Sequence, residues 1–296
     1  QYGNYGEMTN NGMEIDLGLD LIDTSEFGLS TAINWSTNEN EVTDLFGTES
    51  INLSPGASVS SRAVVGYPLG SLYGTGSQTN PDGSFILNSN GFPQITSSPI
   101  VLGDPNPDWR GGISLSMRYK KFRLNAVLEH SEGGDFSPRT LWVLRRFGTT
   151  QETANRITLD QPLVNYRGNT IPAGTTVRGN IKDFGGGPVL LDENWYRTGI
   201  GGGFGDNQAY NFSIADATFT KLRDLSLSYV IDTPLVTNIG LSDVIVSLTG
   251  RDLININKVE GIDPEINTKG VSVAQGVEYF TNPQTKGFLV SLTINY

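Results

Sequence analysis

The sequence has no cysteine, which excludes a disulfide framework and any thiolate-held metal. It has a single histidine, His130, so neither a zinc site nor a Ser-His-Asp triad is supported. No run of eighteen apolar residues occurs, which excludes a transmembrane helix. Positive charge is also short. Twenty Lys and Arg face 31 Asp and Glu for a net charge of −11, the wrong balance for a nucleic-acid partner. Charged residues of both signs amount to 17%, below the usual quarter. There is no G-x-x-x-x-G-K-[ST] phosphate loop. Gln1 is neither an initiator Met nor the start of a signal peptide, so the chain reads as a piece of something longer.

What the sequence does have is glycine (36 residues), asparagine, and a repeated period of two. The last ten residues, GFLVSLTINY, show it most plainly. Phe288, Val290, Leu292, Ile294 and Tyr296 alternate with Leu289, Ser291, Thr293 and Asn295, giving a strand with one apolar and one mostly polar face. A transmembrane β-barrel needs about ten tilted residues of this kind, with aromatics at the two interfaces. The same alternation occurs in Met13–Leu21, where Glu14, Asp16 and Asp20 lie on the opposite face. Three carboxylates on one face cannot enter an apolar core without partners, but they are at ease against water. Phe27–Trp35, Trp109–Tyr119, Phe122–Leu128, Phe219–Ile231 and Val244–Leu248 repeat the pattern.

These stretches predict seven strands: three tight hairpins and a final single strand. The turns near residues 23, 120 and 237 are short. The connections 37–108, 131–216 and 254–285 are long, rich in Gly, Pro, Ser and Asn. Within them the sequence predicts short strands at Ala63–Val65 and Ser84–Leu87, a turn at Asn80–Gly83, and a helix capped by Ser137-Pro138 and ended near Gly148. Short turns at one end and long loops at the other is the topology of outer-membrane barrels, the short turns being periplasmic. Seven strands cannot close a bacterial single-chain barrel, which has an even number. The expected fold is therefore all-β, a partial antiparallel transmembrane β-barrel with long extracellular loops. The alternative is a secreted β-sandwich, acting as a glycan-binding module or adhesin, in which Ile15, Leu17, Leu115 and Leu227 would be buried against a second sheet.

Motifs for chemistry are weak. Asp104, Asn106 and Asp108 begin like an EF-hand loop, but Trp109 and Leu115 stand where Gly and Glu are required. Gly202–Asp206 resembles a single calcium-binding β-roll repeat, and such repeats need several copies. Asp183, Asp192 and Glu193 are abundant loop carboxylates without a spacing that defines a glycosidase pair. No catalytic residue, metal ligand or cofactor is expected. Tyr67, Tyr73, Trp142, Trp195 and Tyr196 lie in the long loops, where aromatic faces serve either as a ligand or lid-contact surface or as loop packing.

Several stretches resemble one family. GDPNPDWRGG (Gly103–Gly112), DATFTKLRDLSLSY (Asp216–Tyr229), GIDPEIN (Gly261–Asn267), NPQTKGF (Asn282–Phe288) and GEMTNNGMEIDL (Gly6–Leu17) resemble segments of the SusC/RagA family of TonB-dependent outer-membrane transporters, in the same order. Ile262 and Arg251-Asp252 depart from the family's usual residues. The resemblance implies a 22-stranded barrel of which this chain holds strands sixteen to twenty-two, a plug and a TonB-contacting segment upstream, and a SusD-like surface lipoprotein over the mouth. It further implies residence in the outer membrane, energised import of glycan or peptide fragments, and a C-terminal aromatic, Tyr296, read by the outer-membrane assembly machinery.

Overall fold

The computed structural model describes residues 6–54, 58–198, 201, 208–259, 261–268 and 275–296. Its principal element is a seven-stranded antiparallel sheet whose strands follow one another in chain order. They are β1 (Glu7–Asp23), β2 (Phe27–Asp44), β3 (Trp109–Tyr119), β4 (Phe122–Glu132), β5 (Phe219–Ile231), β6 (Asp243–Asn257) and β7 (Gly287–Asn295). All seven lie on stretches where the sequence alternates. β1 and β2 run further than the alternation indicates, because their upper ends are polar (Asn10, Asn11, Asn38, Glu39, Asn40) and pair with each other outside any apolar band.

The register puts the apolar residues in rows across the sheet. Phe27, Tyr119, Phe122 and Tyr229 form a row of aromatics at the short-turn end. Above it lie Leu29, Met117, Leu124, Leu227, Leu248 and Val290, and higher still Leu17, Ile33, Ile113, Leu128, Leu222 and Ile254. A soluble sheet would hide this face. Here Ile15, Leu17 and Leu227 are 50%, 46% and 47% exposed, and Leu115 is half-buried. The burial that a β-sandwich requires is absent at these positions. On the other face the rows read Asp20, Ser30, Ser116, Asn125, Ser226 and Thr249, small and polar.

The three short turns are tied to one another. Arg118 binds Asp23 at 3.2 Å and the carbonyls of Thr24 and Ser25 at 2.9 and 3.0 Å. Lys120 pairs with Glu26 at 3.7 Å, and Lys121 pairs with Asp232. Lys120 has a positive φ of 54°, as a two-residue hairpin turn demands. The third turn carries a short helix, α4 (Pro234–Thr237).

The long connections are more ordered than their composition indicates. The first contains a four-stranded sheet, Ser50–Ser54, Ser60–Val64, Ser71–Gly74 and Ile100–Gly103, of which only Ala63–Val65 is legible as a strand. Ser84–Leu87 forms isolated bridges instead of a strand. The Asn80–Gly83 turn is present, with the Gly83 amide donating to the Asn80 carbonyl at 2.9 Å. In the second, α1 (Arg139–Phe147) ends at Gly148 in the left-handed region. Its N-cap residue is Pro138, which makes no capping bond, and Ser137 belongs to the strand Asp135–Pro138; the Thr140 amide donates instead to Glu278 at 3.2 Å. Two further short helices, α2 (Gln151–Ala154) and α3 (Glu193–Thr198), lie against α1 and the hairpin Asn180–Leu191.

Candidate functional site

Two features sit where the loops meet the polar face of the sheet. The first is a buried charge cluster. β5 carries a bulge at Arg223, since Leu222 pairs with Leu128 and Asp224 with Val127. Lys221 and Arg223, on either side of Leu222, both reach Glu265. Opposite them in β6, Asp252 takes up the mismatch at a φ of 50°. Lys221 is 1% exposed. Its ammonium binds both oxygens of Asp263 at 2.8 and 2.7 Å and Glu265 at 2.7 Å, and it lies 4.7 Å from the ring of Phe219. Arg223 bonds Glu129 at 2.6 Å and also reaches Glu265. Asn255 donates to Asp263 at 3.0 Å. Burial works to raise the Glu265 carboxyl, but the bonds from Arg223 and Lys221 outweigh it and hold the pKa at about 2.

The cluster therefore clamps the last long loop onto β4, β5 and β6. A second tie joins that loop to α1: Glu278, 1% exposed, accepts from Thr140 Oγ1 at 2.6 Å and from Thr281 Oγ1 at 2.9 Å. Sequence reasoning missed the clamp. Lys221, Asp263 and Gln284, whose Oε1 lies 3.5 Å from the Lys221 ammonium, fall in three of the stretches that carry the family resemblance, and that coincidence is the signal that could have found it.

The second feature is the aromatic interior of the loop layer. Phe92, Phe184 and Trp195 pack with Tyr166, Phe85 and Phe212, with ring centroids 5.4–6.2 Å apart. Trp142 stacks on Tyr210 at 5.3 Å and donates its indole N–H to the Ser213 carbonyl at 2.9 Å. Tyr196 donates to Glu152 at 3.1 Å and accepts from Asn180 at 2.7 Å, and burial pushes its hydroxyl pKa up. Of the five loop aromatics singled out by sequence, Trp142, Trp195 and Tyr196 are thus buried packing residues. Tyr73 is half-buried under the guanidinium of Arg62 at 4.6 Å, and Tyr67 is exposed. The five do not form one surface.

The weaker motifs have structural employment. Asp104 accepts from the Asn106 amide at 2.9 Å, a turn contact. Its own amide donates to Asp135 at 2.9 Å, and burial raises the pKa of both carboxyls. Asp183 closes its hairpin by accepting from the amides of Gly185 and Gly187 at 2.7 and 3.0 Å. Asp192 caps α3 through the Asn194 amide at 2.9 Å, and Glu193 pairs with Arg197, so the two carboxylates are each committed locally. His130 stacks on Trp109 at 4.7 Å, between Thr220 and Glu132. Gly202–Asp206 lies outside the described residues.

No protein-family model matches the chain. Over its full length it is 23% identical to the TonB-dependent receptor P3 of Formosa agariphila, covering 29% of that protein. It is 23% identical to the TonB-dependent receptor P26 of the same organism, covering 30%. Its fold matches the RagAB peptide transporter with a TM-score of 0.62 at 20% identity, over all of this chain and 30% of that one. The "open-open" state of the RagAB peptide importer gives 0.63 at 18% identity, with the same coverage. The resemblance to SusC/RagA-type TonB-dependent receptors holds across the whole chain. The chain spans less than a third of the length of these receptors. These relatives are named as receptors and as a peptide transporter.

Proposed function

We propose that this chain is the C-terminal part of the barrel of a SusC-like TonB-dependent transporter, resident in the outer membrane and importing nutrient fragments, glycan or peptide. In that reading β1–β7 are the last seven of 22 staves. Their apolar rows face lipid, their polar face lines the lumen, and the loop layer lies outside the cell. The observation that carries the reading is the band of exposed apolar residues, from the Phe27–Tyr229 row up to Leu17 and Ile254, on strands long enough to cross a bilayer. An aqueous face could not hold so large a patch at little cost.

The plug and the TonB-contacting segment would lie outside this chain, and a SusD-like lipoprotein would rest on the loop layer. Tyr67 is the one candidate aromatic exposed enough to meet that lid or a ligand. Tyr296, 99% exposed at the end of β7, is available to the assembly machinery. Uptake in cells tests the whole reading. Accumulation of a glycan or peptide fragment should require the full-length protein and TonB together. Uptake that persists without TonB, or full-length protein recovered in the soluble fraction, would dismiss it.

A further inference from the structure

The loop layer contains a cleft of about 710 Å³ between the last turn of α1 and α3, floored by Thr153 and Val177–Gly179. In a chain of net charge −11, four guanidiniums line it: Arg145, Arg146, Arg178 and Arg197. The carboxylates nearby are turned to structural work. Glu152 holds Arg145 at 2.8 Å and the Tyr196 hydroxyl at 3.1 Å. Asp192 caps α3 and also accepts from the Asn165 amide group at 2.8 Å, while Glu193 is paired to Arg197 on its own helix.

Arg178 differs from these. Its Nε donates to the Thr153 carbonyl at 2.5 Å, and one Nη donates to the Gly148 carbonyl. Among the described residues it has no carboxylate partner. Two of its five N–H donors are used. The remaining three are carried on an exposed side chain already fixed in place by the backbone. Gly148 needs its left-handed conformation to end α1 here, and a Cβ there would come within 3.3 Å of the guanidinium. The position is therefore built, and little side-chain entropy remains to be lost on binding. Phe147, 73% exposed, and Val177 offer apolar surface beside it.

We propose that this cleft binds a fragment bearing a carboxylate, with Arg178 as the anion-binding residue and Phe147 beside the fragment's apolar part. A guanidinium fork matches a carboxylate in two parallel hydrogen bonds, which neutral groups cannot equal. The same chemistry occurs in an acidic peptide and in a uronic-acid sugar. The inference deepens the transport reading and rests on it only for the direction in which the ligand travels.

The test uses the full-length protein purified in detergent, with binding measured by calorimetry at low and high salt. The probes are a Glu-containing tetrapeptide, its Gln counterpart, an oligogalacturonate and a neutral oligosaccharide of equal length. At least one acidic probe should bind about tenfold more tightly than its neutral counterpart and lose that advantage at high salt. Arg178→Gln should abolish the preference. Glu193→Gln, which removes negative charge from the rim and frees Arg197, should strengthen acidic binding several-fold, a gain that damage to the fold could not produce. The proposal is overturned if neither acidic probe binds, if acid and neutral probes bind alike, or if Arg178→Gln leaves the preference intact. Binding with these properties alongside uptake independent of TonB would remove the transport reading and leave the site standing.

Discussion

Lys221 and Asp263 are 42 residues apart in sequence, and each is almost fully hidden from solvent. Removing one member of such a pair leaves the other charge buried without a partner, at a cost of about 3–5 kcal/mol. Lys221→Met should therefore release the last long loop, read as faster amide hydrogen exchange at residues 261–268. Lys221→Met with Asp263→Leu should restore much of the protection, since an apolar pair carries no desolvation penalty. Glu265 gives the clamp a pH dependence. Its carboxyl is lowered from an ordinary 4.5 to about 2, so its stabilisation is complete above about pH 4.5 and fades as pH falls toward 2. Protection factors in this loop, taken relative to the intrinsic exchange rate at each pH, should fall over that window, and Glu265→Gln should remove the dependence. None of this cluster was legible as a cluster in the sequence. Lys221 and Arg223 stand on either side of Leu222 as if on one ordinary strand face, and only the bulge and a loop returning from residue 263 reveal their common partners.

Strands are the elements the sequence discloses best, because each long strand presents unlike faces and period two then survives in the residue order. β3 shows the consequence within two adjacent positions. Leu115 points to the apolar side and Ser114 to the polar side. In lipid, Leu115→Arg should destabilise by about 2–4 kcal/mol, as an arginine does at the midplane. Ser114→Arg should cost far less. Urea unfolding of the full-length protein in vesicles would compare them, and equal effects would contradict a lipid-facing surface. The loop elements hide for the converse reason. Ser71–Gly74 has no period-two apolar face, and Ser50–Ser54 alternates only over Ile51 and Leu53, too short a run to stand out from a loop. Ile51 and Leu53 pack on Val42, Leu45 and Ala63, a grouping that no local period reports. Trp142, Trp195 and Tyr196 were visible as loop aromatics, but burial depends on partners scattered from residue 59 to 277.

At the scale of the molecule, the sheet is open. β1 pairs only with β2 and β7 only with β6 among the described residues, leaving two unpaired edges that lipid could not satisfy. Residues 1–296 produced alone in detergent should associate through these edges into heterogeneous oligomers, whereas the full-length protein should run as one species on size exclusion. A monodisperse, monomeric fragment would argue that the edges are covered some other way. The order of the strands has a separate consequence. Because neighbours in the sheet are neighbours in the chain, every long loop leaves from one stave and returns to the next, with the register fixed below it by the alternating rows. A loop can thus be lengthened, exchanged or grafted without any stave acquiring a new neighbour. The loop layer can vary in sequence and length while the sheet beneath it keeps its register.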